Sequence, residues 1–176
     1  WNLGVRRESR KMAMQVLFEL EMNKQDPDTA LRRLWKEHKS TEGAKVFTEQ
    51  LVSGAVKNMA AIDETIEKYA VNWSIKRINP TDKNVMRIAI FEMLYCEDIP
   101  PVVSINEAVD IAKEFGDAKS GMFVNGILDR VRKDLKRPAR EALPRRPGRA
   151  PGTEPAGEAG LPHWRGPVLS WPVEYA

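Results

Sequence analysis

Four cations stand together at the start of the chain: Arg6, Arg7, Arg10 and Lys11, with a single acid, Glu8, among them. Guanidinium groups bind phosphate oxygens bidentately, and a ring placed beside them stacks on an unpaired base. On a helix turning 100° per residue, Arg7, Arg10 and Lys11 fall together with Arg6 beside them. Their stripe lies about 110° from the apolar stripe of Ala13, Val16, Leu17 and Leu20. Prolonged along the helix, it passes Met14 and Phe18. A cationic end leading onto an apolar and aromatic surface is the chemistry of single-stranded RNA recognition. Cations at a helix N-terminus oppose the macrodipole by about 0.3–1 kcal/mol each, so the cluster sits against its local electrostatics. A solvated, slightly frayed helix start is the competing reading of the same residues.

Catalytic parts are scarce. Of the two histidines, His38 lies among lysines and His163 lies in a proline-rich stretch, and neither has a cysteine or histidine at zinc-ligand spacing. No glycine-rich loop follows a strand, so the sequence offers no dinucleotide or P-loop site. The lone Cys96 sits in an apolar run and reads as a small core residue in a reducing cytosol. The expectation is a cytoplasmic protein that is not an enzyme and has no cofactor or metal. With a net charge of +3 over 176 residues, composition alone says little about nucleic acid; the position of the charges says more. No apolar stretch reaches the roughly 20 residues that span a bilayer, so no membrane partner is expected.

The elements that must position these residues are helices. Asp26-Pro27-Asp28 ends the first, and a short second carries Leu31, Leu34 and Trp35. Gly43 precedes a third with Phe47, Leu51 and Ala55 in register, and a fourth runs through Ile62, Ile66 and Tyr69 to about Trp73. Asn79-Pro80 opens a fifth, from about 81 to 96, whose residues are apolar nearly all round, so it should be central. After Pro100-Pro101, Ser104-Ile105-Asn106-Glu107 reads as a capping box starting the sixth helix, which ends at Phe115 with Gly116 as a left-handed cap. The seventh runs from about Ser120 to Leu135. The fold class is all-α: about seven helices in two packed subdomains, about 5–75 and 79–136, within one domain, 1–136. Residues 137–176 hold eight of the twelve prolines and read as a disordered tail. Asn125-Gly126 places a glycine mid-helix, at a cost of about 1 kcal/mol against alanine. Gly126 reads as a contact with the fifth helix, and Asn125 as either a buried hydrogen-bonding residue or a ligand contact.

Three ordered strings carry more information. Val85-Met86-Arg87-Ile88-Ala89-Ile90-Phe91-Glu92-Met93-Leu94 is followed by Ile105-Asn106-Glu107-Ala108 through Ala112-Lys113-Glu114-Phe115-Gly116, then by Phe123-Val124-Asn125-Gly126-Ile127-Leu128-Asp129. Together they resemble the NusB family over about residues 5–136. The resemblance implies two helical subdomains and an RNA-binding transcription antitermination factor. Such a factor binds a boxA-type RNA jointly with NusE, a small-subunit ribosomal protein, and joins an RNA polymerase complex on ribosomal RNA operons. The family's arginine-rich start maps onto Arg6, Arg7, Arg10 and Lys11, and its first-helix aromatic onto Phe18. Its loop before the last helix maps onto Asp117 to Gly121, with Lys119 where relatives can carry an acid. Its aromatic at Phe123 is a further RNA contact, and its acidic start to the central helix maps onto Asp82, a contact to NusE or a helix-dipole carboxylate.

Two other functions compete. NusB-like domains also begin a ribosomal RNA cytosine methyltransferase, but the proline-rich residues after 136 do not read as a cofactor-binding domain. The other is a protein-only helical adaptor, homodimerising and without an RNA role.

Overall fold

The computed structural model describes residues 3–135, and the 137–176 tail lies outside them. Within the described residues, the chain forms seven α-helices and one 3-10 turn. In order they are α1 (Leu3–Asn23), α2 (Pro27–Glu37), α3 (Glu42–Lys57), α4 (Met59–Tyr69), the turn Ile75–Arg77, α5 (Pro80–Tyr95), α6 (Pro101–Phe115) and α7 (Ala118–Asp134). None of these helices is long and apolar enough to cross a membrane.

Local chemistry sets the boundaries. Asp26 caps α2 by accepting from the N–H of Thr29 at 3.0 Å, with Pro27 next in the chain. Asn79 caps α5 the same way through Thr81 at 2.9 Å, ahead of Pro80. A proline at the first helical position lacks only an N–H that would go unpaired there, and its φ is already helical. The same logic moves the start of α6. The helix begins at Pro101, not at Ser104, because Pro101 satisfies the first-turn geometry and leaves Ser104 and Glu107 inside the helix. Their side chains bond elsewhere, so no capping box forms. Gly116 is not left-handed either; its φ is −130°. α4 stops at Tyr69 rather than near Trp73, because Asn72 turns the chain at φ 71°.

α5 is the axle of the molecule: it packs against α1, α3, α4, α6 and α7. The helices before and after it share a single apolar core, with Ala13, Leu17, Leu51, Ile62, Ile90, Phe91 and Leu128 all buried. α3 and α5 pack tightly at Gly54 of α3. A Cβ there would stand 2.1 Å from the Phe91 ring, so only glycine lets these two helices meet. Gly126, read above as such a contact, has open space where its Cβ would be and lies at the surface with Asn125. Cys96 caps α5, buried, its N–H bonded to the Glu92 carbonyl at 2.9 Å, and burial pushes its thiol pKa up.

α5 is also less apolar than its sequence suggests. Lys83, Asn84, Arg87 and Glu92 are buried on it, each with an ionic or hydrogen-bonding partner. Arg87 grips Asp63 of α4 through two bonds of 2.7 Å and reaches Glu21 of α1 at 3.3 Å. Glu21 also pairs with Lys83 and accepts from Asn84. This network ties three helices together at one end of the core.

Candidate nucleic-acid interface

The four cations of α1 part company in three dimensions. Arg10 is 4% exposed and pairs with Glu92, which is fully buried, through bonds of 2.7 and 3.0 Å. Ser104 donates to the same carboxylate at 2.6 Å. Burial opposes the charge of Arg10, but Glu92 outweighs it and raises its pKa. Arg10, Met14, Glu92 and Ser104 line a cavity of about 10 Å³, too small for a ligand. Arg10 and Met14 are therefore core residues of this structure, not members of the outward stripe expected from the helical wheel.

Arg6 is half-buried, with its guanidinium 4.6 Å from the centroid of the Phe47 ring and 3.9 Å from Asp98. Burial lowers its pKa. Arg7 and Lys11, one turn apart, are partly exposed. Arg7 forks onto Glu107 at 2.8 and 2.9 Å and onto Asp110 at 2.8 Å. Lys11 bonds Glu114 at 2.8 Å and Glu8 at 3.2 Å. The hydrogen bonds from Arg7 hold the Glu107 carboxyl below its ordinary range and raise the pKa of Arg7. Glu107, Asp110 and Glu114 recur at helical spacing on α6, so α6 presents a row of carboxylates to the cations of α1. The cations stand out in the sequence, whereas this row becomes plain only once the ion pairs join α6 to α1.

Beyond Lys11 the outward stripe continues through Gln15 to Phe18, 37% exposed, and Met22, also exposed. The Lys11–Glu114 pair brings the end of α6 beside α1, and the turn that follows it leads to Lys119, exposed on the first turn of α7. That turn is set by Asp117, which accepts from the N–H of Ser120 at 2.9 Å. Phe123 lies one turn beyond Lys119, partly buried, with its ring against Trp73.

Asp82 does not sit at the surface. It is 7% exposed at the start of α5, near Ser120 of α7 and the capping Asp117, and its Oδ1 has no hydrogen-bond partner. Burial raises its pKa. Of the two readings given above, its burial in the first turn of α5 suits the helix-dipole carboxylate. Among the described residues, no group of three or more histidine, cysteine or acidic side chains is arranged to hold a metal.

Residues 7–133 match the model of the NusB family. The chain is 42% identical over 124 residues to transcription antitermination protein NusB of Syntrophus aciditrophicus, covering 70% of this chain and 77% of that protein. It is 41% identical over 140 residues to the protein of the same name from Myxococcus xanthus, covering 77% of this chain and all of that one. Among solved structures, T. maritima NusB superposes with a TM-score of 0.68 at 36% identity, over 73% of this chain and 91% of that chain. A complex of antitermination factors NusB and NusE with double-stranded RNA matches with a TM-score of 0.70 at 26% identity, over 76% of this chain and 99% of that chain.

Proposed function

We propose, from the premise that this chain belongs to the NusB family, that it is an RNA-binding transcription antitermination factor. It binds a boxA-type RNA together with NusE and supports transcription of ribosomal RNA as part of an RNA polymerase antitermination complex. A structural relative holds NusE and RNA together, which supports both partners. The observation that carries the RNA site is the outward stripe of α1: two ion-paired cations, Arg7 and Lys11, leading onto the exposed ring of Phe18. Lys119 and Phe123 extend it on α7.

The ion pairs do not disqualify Arg7 and Lys11. The Arg7–Asp110 and Lys11–Glu114 bonds are open to solvent, and pairs of that kind are worth only about 0–1 kcal/mol, so a phosphate can displace those carboxylates at small cost. Arg10 has no such freedom. With Arg10 in the core, Arg6, Arg7 and Lys11 remain, and each contributes roughly 0.7 to the slope for single-stranded RNA. The share of the log affinity against log salt slope that α1 supplies is then about −2.1 at most.

The test is a salt titration of binding to a boxA-like single-stranded RNA, with and without NusE, followed by fluorescence anisotropy. Arg7→Ala with Lys11→Ala should flatten the slope by about 1.4 and weaken binding. Wild-type protein that fails to bind this RNA in either condition would overturn the proposal.

A further inference from the structure

Trp73 is a large ring that the fold holds at the surface by a dedicated turn. α4 ends at Tyr69, Asn72 takes the left-handed conformation at φ 71°, and the Trp73 N–H closes back onto the Ala70 carbonyl at 2.9 Å. The residue stays 52% exposed, yet its ring is fixed against Phe123 at 6.1 Å between centroids and 67° between planes. An edge-to-face pair of this kind fixes the rings and leaves aromatic surface open for stacking.

Cations flank Trp73. Lys76 and Arg77 follow on the 3-10 turn, both exposed, and that turn is anchored by the Glu67 carboxylate, which accepts the Ile75 N–H at 3.0 Å. Lys119 stands one helical turn before Phe123. The segment from Ala70 to Asn79 contains no acid. Apolar surface alone, such as the exposed Met122 beside Phe123, would suit a protein partner equally well. The flanking cations favour a polyanion with unpaired π-faces.

We propose that Trp73, braced by Phe123, is a stacking platform for an unpaired RNA base, with Lys76, Arg77 and Lys119 holding the neighbouring phosphates. This rests on the RNA reading above and extends the strand's path from α1, across the α6–α7 turn, to the link between α4 and α5.

The test uses the full chain and the same boxA-like RNA. Trp73→Ala should weaken binding by roughly 5- to 150-fold, the range for loss of one base–aromatic stack, while Trp73→Phe keeps most of the affinity. Lys76→Ala with Arg77→Ala should reduce the salt slope by about 1.4. RNA should also quench a component of the tryptophan fluorescence that Trp73→Phe removes, a readout that needs no alanine variant to fold. Unchanged RNA affinity in Trp73→Ala, with wild-type binding intact, overturns the platform and leaves the RNA function standing. Lost NusE binding with RNA affinity unchanged makes the patch a protein interface and also overturns it. If wild-type protein binds no RNA, the function falls and the platform with it.

Discussion

A charged pair as deeply placed as Arg10 and Glu92 is a structural commitment. Each charge loses most of its hydration, and only the mutual attraction, the two-point geometry and the Ser104 hydroxyl offset that loss. Removing one partner leaves the other buried and uncompensated. Glu92→Gln should therefore lower the free energy of unfolding by about 3 kcal/mol, read by urea denaturation. Arg7→Ala, which breaks an exposed pair with Asp110 and a part-buried one with Glu107, should cost less, about 1 kcal/mol. Equal losses in the two variants would sink this division of labour within one cluster. The division was partly legible beforehand. At 100° per residue, Arg10 lies only about 20° round the helix from Leu17, whereas Arg7 and Lys11 lie within about 20° of Phe18. Residue type disguised the position: an arginine next to a leucine on the wheel reads as a rim residue until its partner, Glu92, is located on another helix.

At the scale of elements, α6 supplies the counter-charge for α1. Its carboxylates hydrogen-bond Arg7 and Lys11, and they also compete with any phosphate for them. Neutralising the row with Glu107→Gln, Asp110→Asn and Glu114→Gln should raise affinity for single-stranded RNA and steepen its salt dependence, measured by anisotropy at two salt concentrations. Weaker binding by the triple variant would mean that these acids orient the cations rather than mask them. The helices themselves were readable, because apolar residues at helical spacing and Asp-Pro or Asn-Pro pairs mark most of their ends. What failed was local chemistry with two solutions. Ser104 and Glu107 have capping-box spacing, but Pro101 starts the helix a turn earlier and frees both side chains for Glu92 and Arg7. Gly126 and Gly54 look alike in sequence; only the arrival of Phe91 from α5 distinguishes them.

For the whole molecule, the central place of α5 follows from its apolar sequence, while its buried polar residues do not. Lys83, Asn84, Arg87 and Glu92 are tolerated inside because α1, α4 and α6 bring them partners, and no pattern along one helix discloses that. The consequence reaches Cys96, the chain's sole thiol, seated at the end of that helix one turn from Glu92. A buried, protonated thiol is chemically silent until the surrounding helices part, so the protein carries its own stopwatch for opening. A disulfide reagent should modify native Cys96 roughly 10³-fold or more slowly than the unfolded chain, in proportion to the stability of the core. Glu92→Gln should speed the reaction by the same factor by which it lowers stability. Rapid labelling of native wild-type protein would instead mark the last turn of α5 as a separately opening unit, and the clock would then time that turn rather than the fold.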